Sequence, residues 1–246
     1  MKILRFGEGR WGVLEGPWVY ETEGPGGKRT GERYQLASLY LLPPAEPSKI
    51  VAVGRNYPAH AREMGHDPDP EPGLFLIAPN ALVPHEGEIP YPKWTRELHY
   101  EGELAVVVGR EMRGVSEDRA LGYVLGYTAA NDVTARDRQR TDLQWVRAKS
   151  ADGFLPLGPW VETDLDPAAA SVRTYVNGEL RQEGNTSEML FSVARVLSYI
   201  SEFMTLYPGD VVLTGTPAGV GPLAVGDVVE VAVEGVGTLR NRVVEG

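Results

Sequence analysis

The sequence predicts a β-dominated α+β fold, and two observations support this. Short apolar runs rich in β-branched residues recur along most of the chain, with glycine and proline between them. Only one long stretch, residues 187–204, has helical periodicity. Strands and helices therefore do not alternate as they would in a parallel α/β fold, and the helix packs against a mainly β structure.

The first 45 residues predict a small N-terminal β domain. "KILRF", "RWGVLE" and "WVYET" are strand-like, and glycine turns separate them. The proline-rich stretch "LLPPAEPSK" follows at residues 41–49 and is the predicted connector. We therefore divide the chain into residues 1–45 and a larger domain of residues 46–246.

Strands dominate the larger domain. "IVAVG", "LFLI", "LAVVV" and "VLGYTAAND" are predicted strands, and Asn177-Gly178 predicts a two-residue hairpin turn. Residues 55–73 read as a mobile loop with one helical turn around Ala59–Met64. In the long helix, one apolar face is predicted, and either Thr186 or Ser187 is predicted to cap its start. The residues of that face are Met189, Val193, Val196, Leu197, Ile200 and Met204.

Composition excludes several classes of function. The 246 residues carry a formal net charge of −10 and no cysteine, so disulfides, zinc-thiolate sites and cysteine nucleophiles are excluded. The acidic balance argues against nucleic-acid binding. There is no apolar run long enough for a membrane span and no signal-peptide pattern at the N-terminus. We expect a cytoplasmic protein.

Three carboxylates form a candidate metal site. Glu101 and Glu103 lie two residues apart at the start of an apolar strand, so they share a face, and Asp132 ends another apolar strand. Oxygen donors alone suit Mg²⁺ or Mn²⁺. Three protein ligands would also leave coordination positions open for catalysis. Two plainer interpretations stay open: a solvated strand end, and structural carboxylates that bind no ion.

Five segments, in this order and spacing, closely resemble the fumarylacetoacetate hydrolase family. They are "VGRNYPAHAREMG", "HYEGELAVVVG", "GYTAANDVTARDRQ", "WVRAKSADGFLPLGP" and "GDVVLTGTPAGVGP". The resemblance covers residues 48–246 and implies a mixed β-sandwich roll, a homodimer, and Mg²⁺ or Mn²⁺ held by Glu101, Glu103 and Asp132. It also implies a substrate that chelates the metal, a 2-oxo acid or a 1,3-diketone. The first 45 residues look like the small N-terminal domain that some members carry.

The resemblance implies roles for six further residues, each of which also has a plainer interpretation. Lys149 would be the active-site lysine rather than a surface lysine. His60 and Glu63 would form a proton-transferring pair over the metal rather than an exposed pair. Arg136 and Gln139 would reach the substrate, with Arg136 gripping a carboxylate, rather than belong to a solvated polar loop. Thr216 would contact the substrate acid through its hydroxyl or its backbone N–H rather than only shape a glycine-rich turn.

The other histidines receive lesser roles. His99 matches a histidine that the family often has before the glutamates, and it is expected to support the metal ligands, with direct ligation as the alternative. His66 and His85 are expected to be surface residues.

The sequence departs from the family at one position that bears on the substrate. Many members carry a lysine in an "F-L-K-P" stretch, and Ile77 stands at that position here. We expect that wall of the pocket to be apolar and to lack one anion-binding charge. The stretch "HDPDPEPG" is acidic, which suits a second substrate carboxylate poorly.

These observations predict a metal-dependent enzyme that acts on 2-oxo or 2-hydroxydienoate acids through a metal-stabilised enolate. Within the resemblance, 2-hydroxyhepta-2,4-diene-1,7-dioate isomerase is the first hypothesis, with decarboxylase action as a second activity, in the catabolism of aromatic compounds. Acylpyruvate hydrolase or oxaloacetate decarboxylase is the alternative. A non-catalytic protein that binds metal and ligand is the alternative of another class.

Overall fold

The computed structural model describes residues 1–65, 67 and 70–246, and strands dominate it. Within these residues there are five α-helices: α1 (Pro58–Glu63), α2 (Glu117–Ala120), α3 (Arg136–Thr141), α4 (Val146–Lys149) and α5 (Val193–Phe203). Four 3₁₀ turns span Leu36–Ser38, Pro79–Ala81, Leu121–Tyr123 and Thr186–Glu188. The strands of the described chain are β1 (Lys2–Phe6), β2 (Arg10–Glu15), β3 (Trp18–Thr22), β4 (Arg29–Gln35), β5 (Leu41–Leu42), β6 (Ile50–Gly54), β7 (Gly73–Ile77), β8 (Leu82–Val83), β9 (Glu88–Tyr91), β10 (Leu98–Tyr100), β11 (Gly102–Val108), β12 (Val124–Asn131), β13 (Thr134–Ala135), β14 (Leu155–Glu162), β15 (Ser171–Val176), β16 (Glu179–Asn185), β17 (Val211–Leu213), β18 (Gly221–Pro222), β19 (Val228–Val233) and β20 (Gly237–Glu245). The predicted β-dominated α+β class is confirmed.

A large mixed sheet forms the centre of the molecule, in the order β4-β3-β2-β1-β14-β12-β11-β17-β6-β7. Strand β11 is buried along its whole length, because both faces of the sheet are covered. Ala105 and Val107 point into one apolar cluster, while Leu104, Val106 and Val108 point into another. This period-two division explains why the sequence of β11 reads as a continuous apolar run.

Smaller sheets pack around the central one. A second sheet has the order β16-β15-β19-β20-β9, and a third, of three strands, has the order β13-β10-β18. The third sheet lies where β10 leads into β11, with only Glu101 between the two strands. This break in pairing is the place from which the candidate site develops.

The N-terminal meander continues the central sheet. Strand β1 pairs antiparallel with β14, with Ile3 opposite Val161. A separate apolar cluster, with Leu4, Phe6, Val19 and Leu41 as its buried members, fills the space under the meander. The division of the chain at residue 45 stays a prediction, and the hydrogen-bonded sheet runs across it.

The hairpin and the helical turn confirm two local predictions, but the start of the long helix was predicted wrongly. Asn177 and Gly178 both have positive φ, at 53° and 79°, as a type I′ turn requires. Helix α5 begins at Val193, and Ser192 caps it by accepting a hydrogen bond from the backbone of Arg195 at 3.1 Å. Neither Thr186 nor Ser187 caps this helix.

Asn56 accounts for the later start of helix α5. Its backbone oxygen accepts from Leu190 N at 2.8 Å, and its side-chain oxygen accepts from Phe191 N at 2.9 Å. These bonds hold the backbone of residues 190–191 out of the helix. They link it to the segment before α1, which periodicity alone could not reveal.

No helix within the described residues has the length and apolar character needed to cross a membrane.

Candidate metal centre

The three predicted ligands lie together at the ends of two neighbouring strands. Strands β11 and β12 pair antiparallel with Gly102 opposite Asn131, which brings Glu101 and Glu103 beside Asp132. One carboxylate oxygen from each residue lies within 4.8 Å of the other two. All three side chains are buried, with at most 5% of any residue exposed. The solvated strand end is therefore excluded.

Backbone hydrogen bonds hold the ligands in register. The backbone N–H of Glu101 donates to Asn131 Oδ1 at 2.9 Å, and the N–H of Asp132 donates to the carbonyl of Glu101 at 2.9 Å. The N–H of Gly215 donates to Glu103 Oε2 at 2.7 Å. The ligand positions are therefore tied to the backbone of three segments.

Two buried cations face the carboxylates. Lys149 is 1% exposed and donates from Nζ to Glu101 Oε2 at 2.7 Å and to Asp132 Oδ2 at 2.6 Å. Arg136, 2% exposed, donates to Glu101 Oε1 and also to Gln139 Oε1, the latter at 2.6 Å. Lys149 is thus no surface lysine, and part of the Arg136 guanidinium group is hydrogen-bonded to a candidate metal ligand.

The environments of the three carboxyl groups move their pKa values in different directions. Burial opposes ionisation of Glu101, but the charges of Lys149 and Arg136 outweigh burial and lower its pKa. Burial, together with the charges of Asp132 and Glu101, raises the pKa of Glu103 well above its usual range. Burial also raises the pKa of Asp132 to about 6, against the opposing charge of Lys149. Without a further cation, the site cannot easily keep all three groups ionised.

The donor set fits the divalent cation that the family resemblance implies. Asp132 Oδ1 is buried and has no hydrogen-bond partner among the described residues. Such an orphaned buried oxygen calls for a ligand. A cation between the three carboxylates would satisfy it and relieve the repulsion at Glu103. The all-oxygen set suits Mg²⁺ or Mn²⁺.

A cavity of about 390 Å³ opens onto the carboxylates, and eight of the nine predicted site residues line it. Its lining includes His60, Glu101, Glu103, Asp132, Arg136, Gln139, Lys149 and Thr216, together with Val53, Gly54, Arg55, Met64, Phe75, Arg140 and Trp145. Of the predicted site residues only Glu63 lies outside this lining, behind His60. The second group of lining residues, from Val53 to Trp145, was not predicted.

The apolar wall of the cavity comes from Phe75 and Trp145 rather than from Ile77. Ile77 is 2% exposed, pairs with Ile50 and packs in the core, so the prediction that it lines the pocket was wrong. Phe75 lies two residues earlier on the same strand, 5.1 Å from Trp145 between ring centroids and 5.2 Å from Lys149 Nζ. The alternation of side chains along "LFLI" places Phe75 and Ile77 on one face of the strand, but it does not determine which of the two reaches the cavity.

Helix α1 brings His60 and Glu63 together. His60 Nδ1 lies 3.1 Å from Glu63 Oε2, and His60 is 5% exposed. Glu63 also accepts a hydrogen bond from the backbone N–H of Gly219 at 3.0 Å. The pair is therefore built as predicted, with His60 at the cavity and Glu63 anchored to the loop that follows β17.

Thr216 has its hydroxyl committed inside the protein. The hydroxyl donates to the carbonyl of Gly102 at 2.8 Å and accepts from Gln182 Nε2 at 2.7 Å. Of the two groups that the sequence left open for substrate contact, the backbone N–H of Thr216 is the one that no acceptor of the described residues occupies.

His99 and His85 have hydrogen-bond partners other than the three candidate ligands. His99 Nε2 lies 3.2 Å from Glu97 Oε1, so its partner is a peripheral carboxylate rather than Glu101 or Glu103. His85 accepts a hydrogen bond from the backbone of Arg240 at 3.1 Å and is partly buried, not fully at the surface. His66 lies outside the described residues.

The chain belongs to the fumarylacetoacetate hydrolase family. The family model for the fumarylacetoacetate (FAA) hydrolase C-terminal region matches residues 49–244, and a model described as Rv2993c-like, N-terminal, matches residues 1–44. The resemblance drawn from the five sequence segments is thereby confirmed.

Relatives with assigned and unassigned activities are similar over most of this chain. Protein Rv2993c of Mycobacterium tuberculosis is 47% identical over 218 residues, 87% of this chain and 82% of that protein. The 4-hydroxyphenylacetate degradation bifunctional isomerase/decarboxylase of Salmonella dublin is 44% identical, over 94% of this chain and 53% of that protein. The mitochondrial oxaloacetate tautomerase FAHD1 of Bos taurus is 44% identical, over 79% of this chain and 90% of that protein.

Solved structures share the fold over most or all of this chain. The 2-hydroxyhepta-2,4-diene-1,7-dioate isomerase of Mycobacterium marinum superposes with a TM-score of 0.92 at 42% identity, covering 100% of this chain and 98% of that one. The fumarylpyruvate hydrolase of Pseudomonas aeruginosa, solved with Mn²⁺ and pyruvate, gives a TM-score of 0.77 at 36% identity, covering 84% and 92%. Isomerase, decarboxylase, tautomerase and hydrolase therefore all occur among the relatives.

Proposed function

We propose that this protein is a divalent-metal-dependent enzyme acting on 2-oxo or 2-hydroxydienoate acids, with Glu101, Glu103 and Asp132 holding Mg²⁺ or Mn²⁺. One observation carries the proposal: three buried carboxylates converge within 4.8 Å at the cavity that also holds Lys149 and His60. The Mn²⁺ in the structure of the P. aeruginosa relative supports the choice of ion. The homodimer, the cytoplasmic location and the two-domain division stay predictions.

The chain's own groups suit an acidic substrate despite the net negative charge. A divalent cation, when bound, supplies withdrawal of electron density from a 2-oxo group. Lys149 lies beside two of the carboxylates, so its ammonium can stabilise negative charge that develops on the substrate oxygen. The backbone N–H of Thr216 and the side chain of Gln139 line the same cavity and can orient the substrate acid.

His60 is the candidate proton-transfer group. Its Nδ1 faces Glu63 at 3.1 Å, which leaves Nε2 as the nitrogen available to the cavity. Glu63 thereby holds the ring in one orientation, and the bond from Gly219 holds Glu63. This arrangement can move a proton to or from a substrate carbon, or activate a water molecule.

The first candidate reaction is isomerisation of 2-hydroxyhepta-2,4-diene-1,7-dioate, with decarboxylation as a second activity. The likeness to the M. marinum isomerase over the whole chain supports the first, and the name of the S. dublin relative joins both activities. The Phe75 and Trp145 wall suits the conjugated carbon chain of such a substrate.

The second candidate is C–C bond cleavage, by an acylpyruvate hydrolase or an oxaloacetate decarboxylase. The hydrogen-bonded pair of His60 and Glu63 favours it, since cleavage by water needs an oriented base. The same pair, with buried Lys149, argues against the non-catalytic binding protein, which would not need to retain proton-transfer groups.

A metal-supplemented screen of 2-oxo acids distinguishes these reactions. A change in dienol absorbance without fragmentation indicates isomerisation, release of CO₂ indicates decarboxylation, and release of pyruvate indicates hydrolysis. We expect turnover of at least one substrate that is lost on chelation. Tight binding of 2-oxo acids without any turnover would support the non-catalytic alternative.

Two variants test whether the metal ligands and His60 have separate roles in the reaction. We expect Glu101→Ala to abolish every activity, because it removes a metal ligand and the partner of both cations. We expect His60→Ala to reduce bond cleavage by 10²-fold or more, on the order of what general acid–base groups contribute, while keto–enol exchange is largely retained. Equal loss of exchange and cleavage in His60→Ala would contradict this assignment.

A further inference from the structure

The side chain of Gln182 is a buried connection between the second sheet and the candidate metal centre. It lies on β16 and is 1% exposed. Its oxygen accepts from the backbone N–H of Gly102 at 2.9 Å, and its nitrogen donates to Thr216 Oγ1 at 2.7 Å and to the carbonyl of Pro217 at 2.8 Å. Both amide hydrogens and the oxygen are therefore used.

The hydrogen-bond partners determine which way the amide of Gln182 points. If it were reversed, an NH₂ group would face the N–H of Gly102 and an oxygen would face the carbonyl of Pro217. Both contacts would be repulsive inside the protein, where no water can intervene. The orientation is therefore assigned by the network around it.

Gln182, Thr216 and Gly102 form a closed ring of three hydrogen bonds. Gly102 donates to Gln182, Gln182 donates to Thr216, and the hydroxyl of Thr216 donates back to the carbonyl of Gly102 at 2.8 Å. The ring thus takes up both backbone polar groups of Gly102, the residue that separates Glu101 from Glu103. It joins the two glutamates to the loop that carries Thr216.

Close packing leaves this part of the backbone little room to move. A Cβ at Gly102 would lie 2.0 Å from Thr174 Oγ1, so only glycine fits against the second sheet there. Thr174 is the register partner of Gln182 on β15. The second sheet therefore contacts the peptide between the two glutamates directly.

We propose that Gln182 is a positioning residue for the metal centre. It holds the Gly102 peptide, and through that peptide the carboxylates of Glu101 and Glu103, in fixed relation to the backbone N–H of Thr216. This inference rests on the proposed function, because the ion and the substrate acid are part of it. Gln182 does not line the cavity, so it acts only through the residues it holds.

The physical reason is that truncation of Gln182 leaves buried polar groups unpaired. The N–H of Gly102 and the carbonyl of Pro217 would each lose their partner and would move to find another. Such movement displaces the glutamates on either side of Gly102. Loss of a group that supports metal ligands typically weakens metal affinity by about 10- to 100-fold.

The main test compares Mn²⁺ affinity by titration calorimetry in wild type, Gln182→Met and Thr128→Val. We expect Gln182→Met to bind Mn²⁺ at least about 10-fold more weakly. Its KM should rise more than its kcat falls, because Gln182 touches no reacting atom. Thr128→Val is the control: its hydroxyl is buried without a partner among the described residues, on β12 opposite Ala105 rather than Gly102, and we expect wild-type Mn²⁺ affinity.

A second measurement uses the ring itself. If Gln182 and Thr216 act through the same ring, their effects on Mn²⁺ affinity should not multiply. The double variant Gln182→Met/Thr216→Val should then bind Mn²⁺ about as weakly as whichever single variant has the lower affinity. If Gln182→Met does not fold, Thr216→Ser and Thr216→Val replace it. Serine keeps the ring hydroxyl and should retain Mn²⁺ affinity, whereas valine breaks the ring and should lose it.

Two results would overturn the inference. One is a Gln182→Met protein that melts at a lower temperature but binds Mn²⁺ as wild type does, which would make Gln182 a fold residue only. The other is a double variant whose fold-loss of Mn²⁺ affinity equals the product of the fold-losses in the two single variants. A wild-type protein that gives no Mn²⁺ heat would instead overturn the proposed function itself, so the two failures are distinguishable.

Discussion

Glu101 and Glu103 show how two identical side chains, two residues apart, acquire different properties. Glu101 bonds to Lys149 and Arg136, so burial does not prevent its ionisation and its pKa is lowered. Glu103 receives only the N–H of Gly215 and faces two other carboxyl groups, so burial raises its pKa. In the metal-free protein, Glu103 therefore takes up a proton at higher pH than Glu101 does.

This difference predicts unequal stability effects for two isosteric substitutions. Burial and two neighbouring carboxyl groups disfavour the charged form of Glu103, so we expect Glu103→Gln to change the free energy of unfolding of the metal-free protein by less than about 1 kcal/mol. Glu101→Gln removes the charge that faces Lys149 and Arg136, and we expect a loss of about 3–5 kcal/mol. Urea unfolding in the presence of a chelator measures both. Equal destabilisation by the two substitutions would contradict the opposite pKa shifts of Glu101 and Glu103.

Helix α1 carries the candidate proton-transfer pair, His60 and Glu63, and makes few bonds of its own that would keep it folded. It has six residues, and its N-cap, Tyr57, makes no side-chain capping bond. The bond from Gly219 to Glu63 attaches the helix to the loop after β17. We therefore expect the position of helix α1, and the extent to which it stays folded, to depend on Glu63.

Glu63→Ala should release helix α1. We expect faster hydrogen exchange across residues 58–65 and a fall in cleavage activity, because the variant loses the contacts to both Gly219 and His60. Hydrogen-exchange mass spectrometry provides the measurement. Arg62→Ala, on the exposed side of the same helix, is the control and should exchange as wild type does. Unchanged exchange in Glu63→Ala would show that α1 is held by other contacts.

Two serines near the start of helix α5 can be compared: Ser192, which caps the helix, and Ser187, which the sequence suggested as a cap. Ser192→Ala should lower the free energy of unfolding by about 1 kcal/mol, because Ser192 accepts the capping bond from Arg195. Ser187, the cap that the sequence suggested, is exposed, and Ser187→Ala should change it by no more than about 0.5 kcal/mol. Thermal or urea unfolding checks both. A larger effect at Ser187 than at Ser192 would contradict the observed cap.

Local sequence pattern predicted most elements and the three carboxylates that converge, but not the connections between distant segments. The E-x-E pair, Asp132, the Asn177-Gly178 turn and the helical turn at α1 were all readable from short stretches. The start of α5 depends on Asn56, which lies more than 130 residues earlier along the chain. Arg136 binding Glu101 and Gln182 binding Gly102 are likewise contacts across the fold, for which a sequence gives no local signal.

In the molecule as a whole, two buried cationic side chains of an acidic protein lie together at one site. The net charge is −10, yet Lys149 and Arg136 are both nearly inaccessible and both face the same carboxylate. Two sheets and the loop after β17 supply the hydrogen bonds that keep this cluster together. The fold thus provides a buried anionic pocket that a divalent ion would neutralise under the proposed function.

Metal affinity should fall as the pH is lowered. Burial raises the pKa of Glu103 and that of Asp132, the latter to about 6, so in acid the ion must displace protons from both groups. By the same shift, Asp132 binds more protons in the native metal-free state than in the unfolded state. Its contribution to metal-free stability therefore decreases as the pH rises from its ordinary pKa of 3.8 through about 6.

We therefore expect the Mn²⁺-induced rise in melting temperature to be larger at pH 7.5 than at pH 5.5. Differential scanning calorimetry at both pH values, with and without Mn²⁺, measures it. A rise that is independent of pH, or larger in acid, would contradict the raised pKa values of Glu103 and Asp132.

Titration calorimetry of the chelator-treated protein with Mn²⁺ and Mg²⁺, in parallel with Glu103→Gln, shows whether the three buried carboxylates bind a divalent ion. We expect saturable binding of one ion per chain in the wild type and none in the variant, which remains folded. No metal-dependent heat in the wild type, or equal binding by Glu103→Gln, would contradict the proposed metal site.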